Sequence, residues 1–272
     1  MTSIGIDFLA KDDDGATIVA RDLANQATIA TAEVRRGNAT WSVEVQIDPH
    51  HQPERQRILC SVIGATIEMV REQGGGPVHW WARDPSPTDR SVAADLGLTE
   101  ERELYQLRRS LPLEPETTAR ARPLATRPFV VGTDEQAWLY VNNRAFADHP
   151  EQGGWALEQL WEREAEPWFD PAGFLLHDID GQLAAFCWTK VHADHEPALG
   201  EIYVIGVDPD FHGHGLGRAM TVAGLESLAS RGVRVGMLYV ESANAPALGL
   251  YYDLGFTLHH VERAFVLDGS AG

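Results

Sequence analysis

Apolar and polar residues follow two different periods along the chain, which predicts an α/β protein. Residues 40–47 (TWSVEVQI) alternate between apolar and polar positions, as a half-buried strand does. A helix is predicted over residues 56–73, because the glycine run at 74–76 ends it. The first half is completed by predicted strands over residues 78–82 and 103–108 and by a short helix over residues 91–96.

The second half repeats this order and places additional elements in front of it. Prolines at positions 112, 115, 123 and 128 predict a connector with one short strand between the halves, because proline at this density does not continue a regular element. The predicted helices cover residues 135–146, 156–163, 215–231 and 245–254, and the predicted strands cover residues 173–178, 183–192, 200–207, 236–240 and 257–267.

The two halves align as strand, loop, helix, strand, helix and strand. QIDPHHQPERQRILCSVIGATIEMV in the first half stands against VIGVDPDFHGHGLGRAMTVAGLESL in the second. This alignment indicates a duplicated domain whose first copy has diverged, although two unrelated α/β patterns could also agree by chance. We predict a first copy over residues 1–110 that is short of its first strand and helices, a proline-rich linker over residues 111–118, and a second copy over residues 119–272.

Composition excludes several classes of protein. The 272 residues are 44% hydrophobic and 23% charged, which is ordinary for a protein with a sizeable core and argues against disorder. No apolar run is long enough to span a membrane. The net charge of −18 repels a phosphate backbone, and the sequence has no basic patch, so nucleic acid is not expected as a partner. An anionic small molecule can still bind to backbone N–H groups.

Cysteine and histidine give no sign of a disulfide framework or a metal centre. Cys60 and Cys187 lie in apolar runs, which predicts buried, inert thiols. Four histidines of the second half lack metal-ligand spacing and are expected at the surface: His192, His195, His259 and His260.

The N-terminal residues are acidic and lack a signal pattern, so we expect a cytoplasmic protein. We also expect a monomer.

The sharpest local signal is a glycine-rich loop, residues 207–218 (VDPDFHGHGLGR), between a predicted strand and a predicted helix. Glycines at 213, 215 and 217 leave backbone N–H groups uncovered, and with the positive end of the helix dipole these donors can bind an anion. Arg218 can add a side-chain charge. A bare strand-to-helix turn is the alternative, and the spacing fits neither a dinucleotide fingerprint nor a Gly-Lys-Ser/Thr phosphate loop.

This loop resembles the acetyl-CoA loop of the GNAT superfamily of N-acetyltransferases, Gln/Arg-x-x-Gly-x-Gly/Ala, with histidine at the first position. The resemblance covers roughly residues 119–267 and implies tandem GNAT folds, each a mixed, mostly antiparallel sheet flanked by helices, with acetyl-CoA as co-substrate and no metal. It implies that the following residues contact acetyl-CoA: Ile205, Gly206, Val207, His212, Gly213, His214, Gly215, Leu216, Gly217, Arg218, Asn244 and Ala247.

The same resemblance implies two catalytic residues. Glu201 takes the place of the general base, and the strand pattern agrees, because residues 201, 203 and 205 are expected on one face of the strand that leads to the loop. Gly206 is expected at a bulge where ligand amides replace a strand partner. Tyr251 takes the place of the general acid, with Tyr252 as the adjacent competitor.

Four segments are similar to the mycothiol synthase family: residues 141–155, 166–174, 186–209 and 238–256. This narrower resemblance implies catalysis in the second copy, with acetyl transfer to the cysteinyl amine of desacetylmycothiol. It also implies an acceptor site formed by Glu151, Lys190, Glu201 and Tyr239.

Two departures from that family leave the acceptor open. Residues 50–57 (HHQPERQR) replace the glycine loop in the first copy, for which we therefore predict a structural role, and Gly249 replaces a residue that is usually basic. One alternative is a GNAT acetyltransferase for another small amine or a protein N-terminus. The other is a non-catalytic acyl-CoA-binding protein.

Overall fold

The sequence folds into alternating strands and helices, as the computed structural model describes for residues 3–13, 15–37, 40–147, 149 and 152–269. The strands are β1 (Ile4–Lys11), β2 (Gly15–Asp22), β3 (Thr28–Arg36), β4 (Trp41–Ile47), β5 (Val78–Arg83), β6 (Thr99–Ser110), β7 (Arg127–Pro128), β8 (Phe174–Ile179), β9 (Gln182–His192), β10 (Leu199–Val207), β11 (Val235–Glu241) and β12 (Thr257–Leu267). The helices are α1 (Arg55–Glu72), α2 (Pro87–Asp95), α3 (Pro115–Ala119), α4 (Glu135–Ala145), α5 (Leu157–Glu164), α6 (Leu216–Ser230) and α7 (Ala245–Asp253).

The chain divides into two compact units. The first unit consists of Met1–Tyr105, Glu241–Ala243 and His260–Gly272, and the second consists of Gln106–Val240 and Asn244–His259. Both units contain sheet and helix, and antiparallel strand pairs outnumber parallel ones. The predicted α/β class with a mixed, mostly antiparallel sheet is therefore confirmed.

The first unit contains three strands that the sequence analysis did not predict. Strands β1 to β4 form an antiparallel meander, β4 runs parallel to β5, and β12 pairs antiparallel with β5. The expectation that this half lacks its first strand was wrong. Strand β1 is largely exposed and β3 is rich in threonine and alanine, so neither shows a strong hydrophobic alternation.

Helix α1 forms the core of the first unit together with the sheet. Its buried residues recur three or four positions apart, which places them on one face of the helix. Trp41, Trp80 and Phe265 are among the large side chains enclosed in this core. Helix α2 begins earlier than predicted, because the side chain of Ser86 accepts a hydrogen bond from the backbone N–H of Asp89 in a capping box.

The second unit places helices on both faces of its sheet. Strands β7 to β10 are antiparallel, and β11 joins β10 in parallel. A side chain at Gly206 would meet Phe186 and Ala145, the last residue of α4, whereas one at Gly224 of α6 would meet Cys187. Neighbouring residues of a strand point to opposite faces, so α4 and α6 cover opposite faces of the sheet.

The connector and the C-terminus differ in detail from the sequence prediction. The connector contains the predicted short strand, β7, and also the short helix α3. Residues 260–272 were assigned to the second copy but group with the first unit, because β12 pairs with β5 from Glu262–Arg83 to Leu267–Val78.

The sequence analysis predicted that the chain has no membrane-spanning run and that both thiols are buried. Within the described residues, none of the helices combines the length and hydropathy that a membrane-spanning helix needs. Cys187 is buried as predicted, but Cys60 is only partly buried. Burial raises the pKa of both thiols, to about 12 for Cys187.

Candidate active site

Two neighbouring parallel strands separate in the middle of the second unit. Over the described residues, β10 pairs with β11 from Leu199–Val235 to Glu201–Met237, and both strands then continue without pairing to each other. The separation leaves main-chain N–H and C=O groups of residues 202–207 facing a cleft. Such groups need hydrogen-bond partners, which makes this edge suited to an extended ligand that carries amides.

The glycine loop joins β10 to helix α6 at the end of this cleft. Gly213 and Gly215 have φ values of 79° and 72°, which favour glycine over residues with a side chain. A Cβ atom at either position would meet nothing within 4 Å, so the space beside the loop is open. Gly215 is the N-cap residue directly before α6, and no side chain caps this helix start. The first N–H groups of α6 are therefore available for an anion such as a phosphate.

Hydrogen bonds and an ion pair made by side chains hold the glycine loop in its conformation. The buried carboxylate of Asp208 accepts a hydrogen bond from the backbone N–H of Asp210 and forms an ion pair with Arg144 at 3.1 Å. The imidazoles of His212 and His214 lie within 3.0 Å and 3.2 Å of loop carbonyl oxygens. The side chains of both histidines therefore contact the loop itself.

The positive charge that Arg218 was predicted to add beside the loop is partly neutralised in the structure. Its guanidinium donates a hydrogen bond to Asp253 at the end of α7, although its Nη1 atom is buried with no partner in the described part of the chain. Arg120 approaches Asp253 at 3.9 Å. Arg122 donates to the carbonyl oxygen of His214 at 3.3 Å. Arginines from the connector thus supplement Arg218 beside the loop.

Asn244 and Ala247 start helix α7. The side chain of Asn244 accepts a hydrogen bond from the backbone N–H of Ala247 at 3.2 Å, as an N-cap residue does. Gly249 lies in the same helix, and a Cβ there would meet nothing within 4 Å.

Glu201 lies at the point where the two strands separate. The residue is 8% exposed, and its Oε2 atom is 2.7 Å from Nε2 of His192. The expectation of a surface position was wrong for His192, which is partly buried, and for His260, which is buried and bonded to Glu262. His192 lies two residues after Lys190, the residue that pairs with Glu201, and therefore diagonally across from Glu201 on the neighbouring strand.

A bulge in β10 changes the face of the sheet to which the side chains after it point. The register with β9 shifts between Ile202 and Val204, so Glu201 pairs with Lys190 whereas Ile205 pairs with Cys187. Residues 190 and 187 point to opposite faces, and Ile205 therefore does not share the face of Glu201, contrary to the prediction.

The predicted explanation for Gly206 was also wrong. The bulge lies before this residue, between Ile202 and Val204. A Cβ atom at Gly206 would approach the ring of Phe186 to 2.7 Å. Glycine is therefore required here by the packing of Phe186.

Aromatic rings surround the amine of Lys190 near Glu201. The Nζ atom lies 4.3 Å from the ring centre of Trp168 and 5.6 Å from that of Tyr203, so both rings stabilise the cation. Burial raises the pKa of Tyr203, and Arg163 acts in the opposite direction. Trp168 thus packs against the core on one side and borders this polar cluster on the other.

The two adjacent tyrosines of α7 have different surroundings. Tyr251 is 7% exposed and Tyr252 is 46% exposed. Burial raises the pKa of Tyr251 to about 12, so its hydroxyl keeps its proton at neutral pH. Tyr239 of β11 is exposed, and its hydroxyl accepts a hydrogen bond from Gln106 at 2.6 Å. Glu151 lies outside the described residues.

Comparisons with known proteins place the chain in a family. The profile of the Acetyltransferase (GNAT) family matches residues 138–256. The mycothiol acetyltransferase of Kocuria rhizophila is 44% identical over 262 residues, which are 91% of this chain and 83% of that protein. That of Acidimicrobium ferrooxidans is 41% identical over 96% of this chain and 85% of its own length. The chain belongs to the mycothiol acetyltransferase family.

Membership in this family and the GNAT profile make the chain an acetyl-CoA-dependent N-acetyltransferase. The mycothiol acetyltransferase of Thermobispora bispora is 49% identical over 197 residues, 71% of this chain and 67% of that protein. Among the described residues, no group of three His, Cys, Asp or Glu side chains is arranged to hold a metal ion.

Solved structures share the fold at lower identity. A GCN5-related N-acetyltransferase from Sphaerobacter thermophilus superposes with a TM-score of 0.79 over 97% of this chain and 83% of that chain, at 19% identity. A tandem GNAT protein from the clavulanic acid biosynthesis pathway gives a TM-score of 0.66 over 95% of this chain and 84% of that chain, at 15% identity. These likenesses show the tandem GNAT fold.

Proposed function

We propose that the protein transfers the acetyl group of acetyl-CoA to the cysteinyl amine of desacetylmycothiol, the last step of mycothiol biosynthesis, with Glu201 as general base and Tyr251 as general acid. The observation that carries this proposal is the buried carboxylate of Glu201 at the point where β10 and β11 separate. The same strand continues into the glycine loop, so a ligand held by the loop would reach back to Glu201. Relatives named mycothiol acetyltransferase support the choice of pathway.

Acetyl-CoA supplies a thioester whose acetyl group is transferred. The residues of this chain fit its phosphates, because the uncapped N–H groups at the start of α6 and the open space beside Gly213 and Gly215 suit anionic oxygens. Main-chain groups of Ile205, Gly206 and Val207, at the edge of β10 that is not paired with β11, would bind the amides of the pantetheine arm. A backbone N–H of this strand would stabilise negative charge on the thioester oxygen.

The role of Glu201 follows from the protonation of the acceptor. An α-amine has a pKa of about 8, so much of it carries a proton at neutral pH and cannot attack the thioester. A carboxylate placed beside the amine accepts that proton, directly or through a water. A well-placed base contributes about 10²–10⁴-fold in rate.

Tyr251 is proposed to stabilise the departing thiolate. Its raised pKa keeps the hydroxyl protonated, so it can donate to the sulfur as negative charge develops there. Tyr252 is too exposed to provide the same dry environment.

The acceptor site is proposed to include Glu201 and three further polar residues. Lys190 and the hydroxyl of Tyr239 would bind hydroxyl groups of the glucosaminyl-inositol, together with Glu151, whose position is not described. A cytoplasmic location, a monomeric state and the absence of nucleic-acid or membrane partners stay predictions from the sequence.

Mass spectrometry of the acceptor tests the proposal. Purified protein, acetyl-CoA and desacetylmycothiol should yield the acceptor with one added acetyl group, whereas a peptide with a free N-terminus and glucosamine should remain unmodified. Colorimetric detection of released thiol is unsuitable because the acceptor itself carries a thiol. Transfer to the peptide or to glucosamine instead would identify another acetyltransferase, and no transfer with retained acetyl-CoA binding would identify a non-catalytic binding protein.

The substitution Glu201→Gln tests the base. We expect turnover to fall about 10²–10⁴-fold, with unchanged affinity for acetyl-CoA, because the amide cannot accept the amine proton. Glu226→Gln on the exposed side of α6 is the matched control and should keep full turnover. Full turnover of the Glu201 variant would show that another group acts as base.

A further inference from the structure

The carboxylate of Glu201 has a specific partner. His192 lies at the end of β9, on the strand next to β10, and its Nε2 atom is 2.7 Å from Oε2 of Glu201. Both side chains are largely shielded from solvent, with exposed fractions of 21% for His192 and 11% for Glu201. A short contact between shielded groups is stronger than the same contact at a surface, because water does not compete with it.

The chemistry of the two groups sets the direction of the hydrogen bond. An ionised carboxylate can only accept hydrogen bonds, so the nitrogen that faces it must carry a proton. His192 therefore donates from Nε2 to Oε2. Over the described residues His192 is the hydrogen-bond partner of this carboxylate, which leaves the second oxygen, Oε1, for the substrate.

Other polar groups lie near the pair. Lys190 is the residue of β9 that stands opposite Glu201 in the strand register. Its amine lies 5.6 Å from the ring centre of Tyr203 of β10. The rings of His192 and His195 are 5.9 Å apart, and Nδ1 of His195 lies 3.2 Å from Oδ1 of Asp194.

We propose that His192 is a positioning residue for Glu201: its Nε2–H group fixes one carboxylate oxygen, so that the other oxygen faces the acceptor amine. This inference rests on the proposed role of Glu201. The hydrogen bond from His192 limits rotation of the carboxylate and holds it in one orientation.

The test compares two substitutions that differ in the donor. His192→Leu removes the N–H group, and we expect kcat to fall about 10- to 100-fold because the base is misplaced, with an unchanged KM for acetyl-CoA. His192→Gln keeps an N–H donor near the position of Nε2 and should retain most of kcat.

His195→Leu is the matched control, because this neighbouring imidazole is exposed and does not contact Glu201 in the described structure. It should leave kcat unchanged. Calorimetric binding of acetyl-CoA shows that each variant is folded. A His192→Leu enzyme with the original kcat would overturn the proposal, as would a folded His192→Gln enzyme as impaired as the leucine variant.

These outcomes are distinct from a failure of the proposed base. If Glu201→Gln is inactive while His192→Leu is normal, only the positioning role of His192 is wrong. If Glu201→Gln keeps full turnover, the base assignment fails and the positioning role fails with it.

Discussion

The loop after β4 in the first unit and the loop after β10 in the second unit begin in the same way. In the first unit the side chain of Asp48 accepts a hydrogen bond from the backbone N–H of His50 at 2.8 Å. In the second unit Asp208 accepts one from Asp210 at 2.9 Å. Each aspartate is followed by proline and by a short 3-10 turn. The Asp-Pro turn has thus been retained in both copies of the duplicated pattern.

The loops differ immediately afterwards, where a phosphate would bind. Gly213 and Gly215 adopt positive φ, and α6 then begins with free N–H groups. In the first unit the turn continues directly into α1, and the residue before α1, Glu54, has a φ of −104°. Pro53 has no N–H group to offer. The first loop therefore lacks the positive-φ glycines of the second, and the structural role predicted for it stays a prediction.

In each unit the strand before the loop separates from its parallel neighbour, and the point of separation differs between the units. In the first unit, β4 stays paired with β5 through Glu44 and Trp81, close to the end of the strand. In the second unit, the pairing of β10 ends at Glu201, which leaves a longer unpaired edge. Residues of β4 and β5 around this point line a cavity of about 410 Å³, whose charged groups include Glu44, Arg55, Arg83 and Glu262.

The contrast between the two units extends to the proposed general acid. When the Asp-Leu-Gly segments of the two copies are aligned, Ala93 stands in the first copy where Tyr251 stands in the second. Ala93 is buried in the core of the first unit. The comparison teaches that the sheet-and-helix scaffold tolerates a shorter unpaired edge together with loss of the glycine loop and of the hydroxyl. These features are therefore not needed for folding, and their presence in the second unit points to function.

The largest effect is expected from the substitution Gly215→Val. A β-branched residue at a φ of 72° is strained by about 1–3 kcal/mol, so the loop should move away from the conformation that exposes its N–H groups. We expect acetyl-CoA to bind about 10- to 100-fold more weakly by isothermal titration calorimetry. Glu54→Val, at the residue before α1, is the matched control and should not change binding. Equal effects of the two substitutions would remove the distinction between the loops.

The substitution Tyr251→Phe tests the second contrast. We expect kcat to fall about 10-fold, because the variant keeps the buried ring but cannot donate to the departing sulfur. Tyr252→Phe is the matched control and should keep kcat, since this neighbour is exposed. The pKa of Tyr251, about 12, also predicts that any basic limb of the wild-type profile below pH 10 comes from another group and survives in Tyr251→Phe. Loss of such a limb in that variant would contradict the assignment.

Much of the fold of the second unit was predictable from the sequence. Hydrophobic periodicity predicted β8 to β12 and α4 to α7 close to their observed bounds, because these elements are flanked by clear turn residues. Strands β1 to β3 were missed because their alternation is weak. The assignment of residues 260–272 to the first unit was also beyond a local pattern, since it depends on pairing between β12 and β5, which are far apart in sequence.

The candidate site was predictable where backbone conformation determines the residue type. Glycines of the loop could be found because positive φ requires them. The contact of His192 with Glu201 was missed, because the sequence does not show which residues of neighbouring strands lie diagonally across from each other. The face of Ile205 was misassigned because a bulge inserts one residue into the alternation.

The smallest expected effect concerns a carboxyl group of the first unit. Burial, with Glu44 as the next contribution, raises the pKa of Glu262 to about 7. The folded state therefore keeps this proton at pH values where the unfolded chain has lost it, and the resulting stability is lost as the pH rises from about 4.5 to 7. Above that range an ionised carboxylate remains partly buried, whereas the substitution Glu262→Gln keeps the position neutral.

We expect Glu262→Gln to raise the free energy of unfolding by about 1 kcal/mol at pH 8, less than the full pKa difference implies because solvent screens the side chain, and to have no effect at pH 4. Urea unfolding at the two pH values measures the difference. Glu101→Gln, an exposed position of the same unit, is the control and should show no pH-dependent gain. Acetyl transfer should be unchanged in both variants. A loss of turnover in Glu262→Gln would mean that the charged cavity of the first unit takes part in the reaction, and the contrast between the two units would then no longer hold.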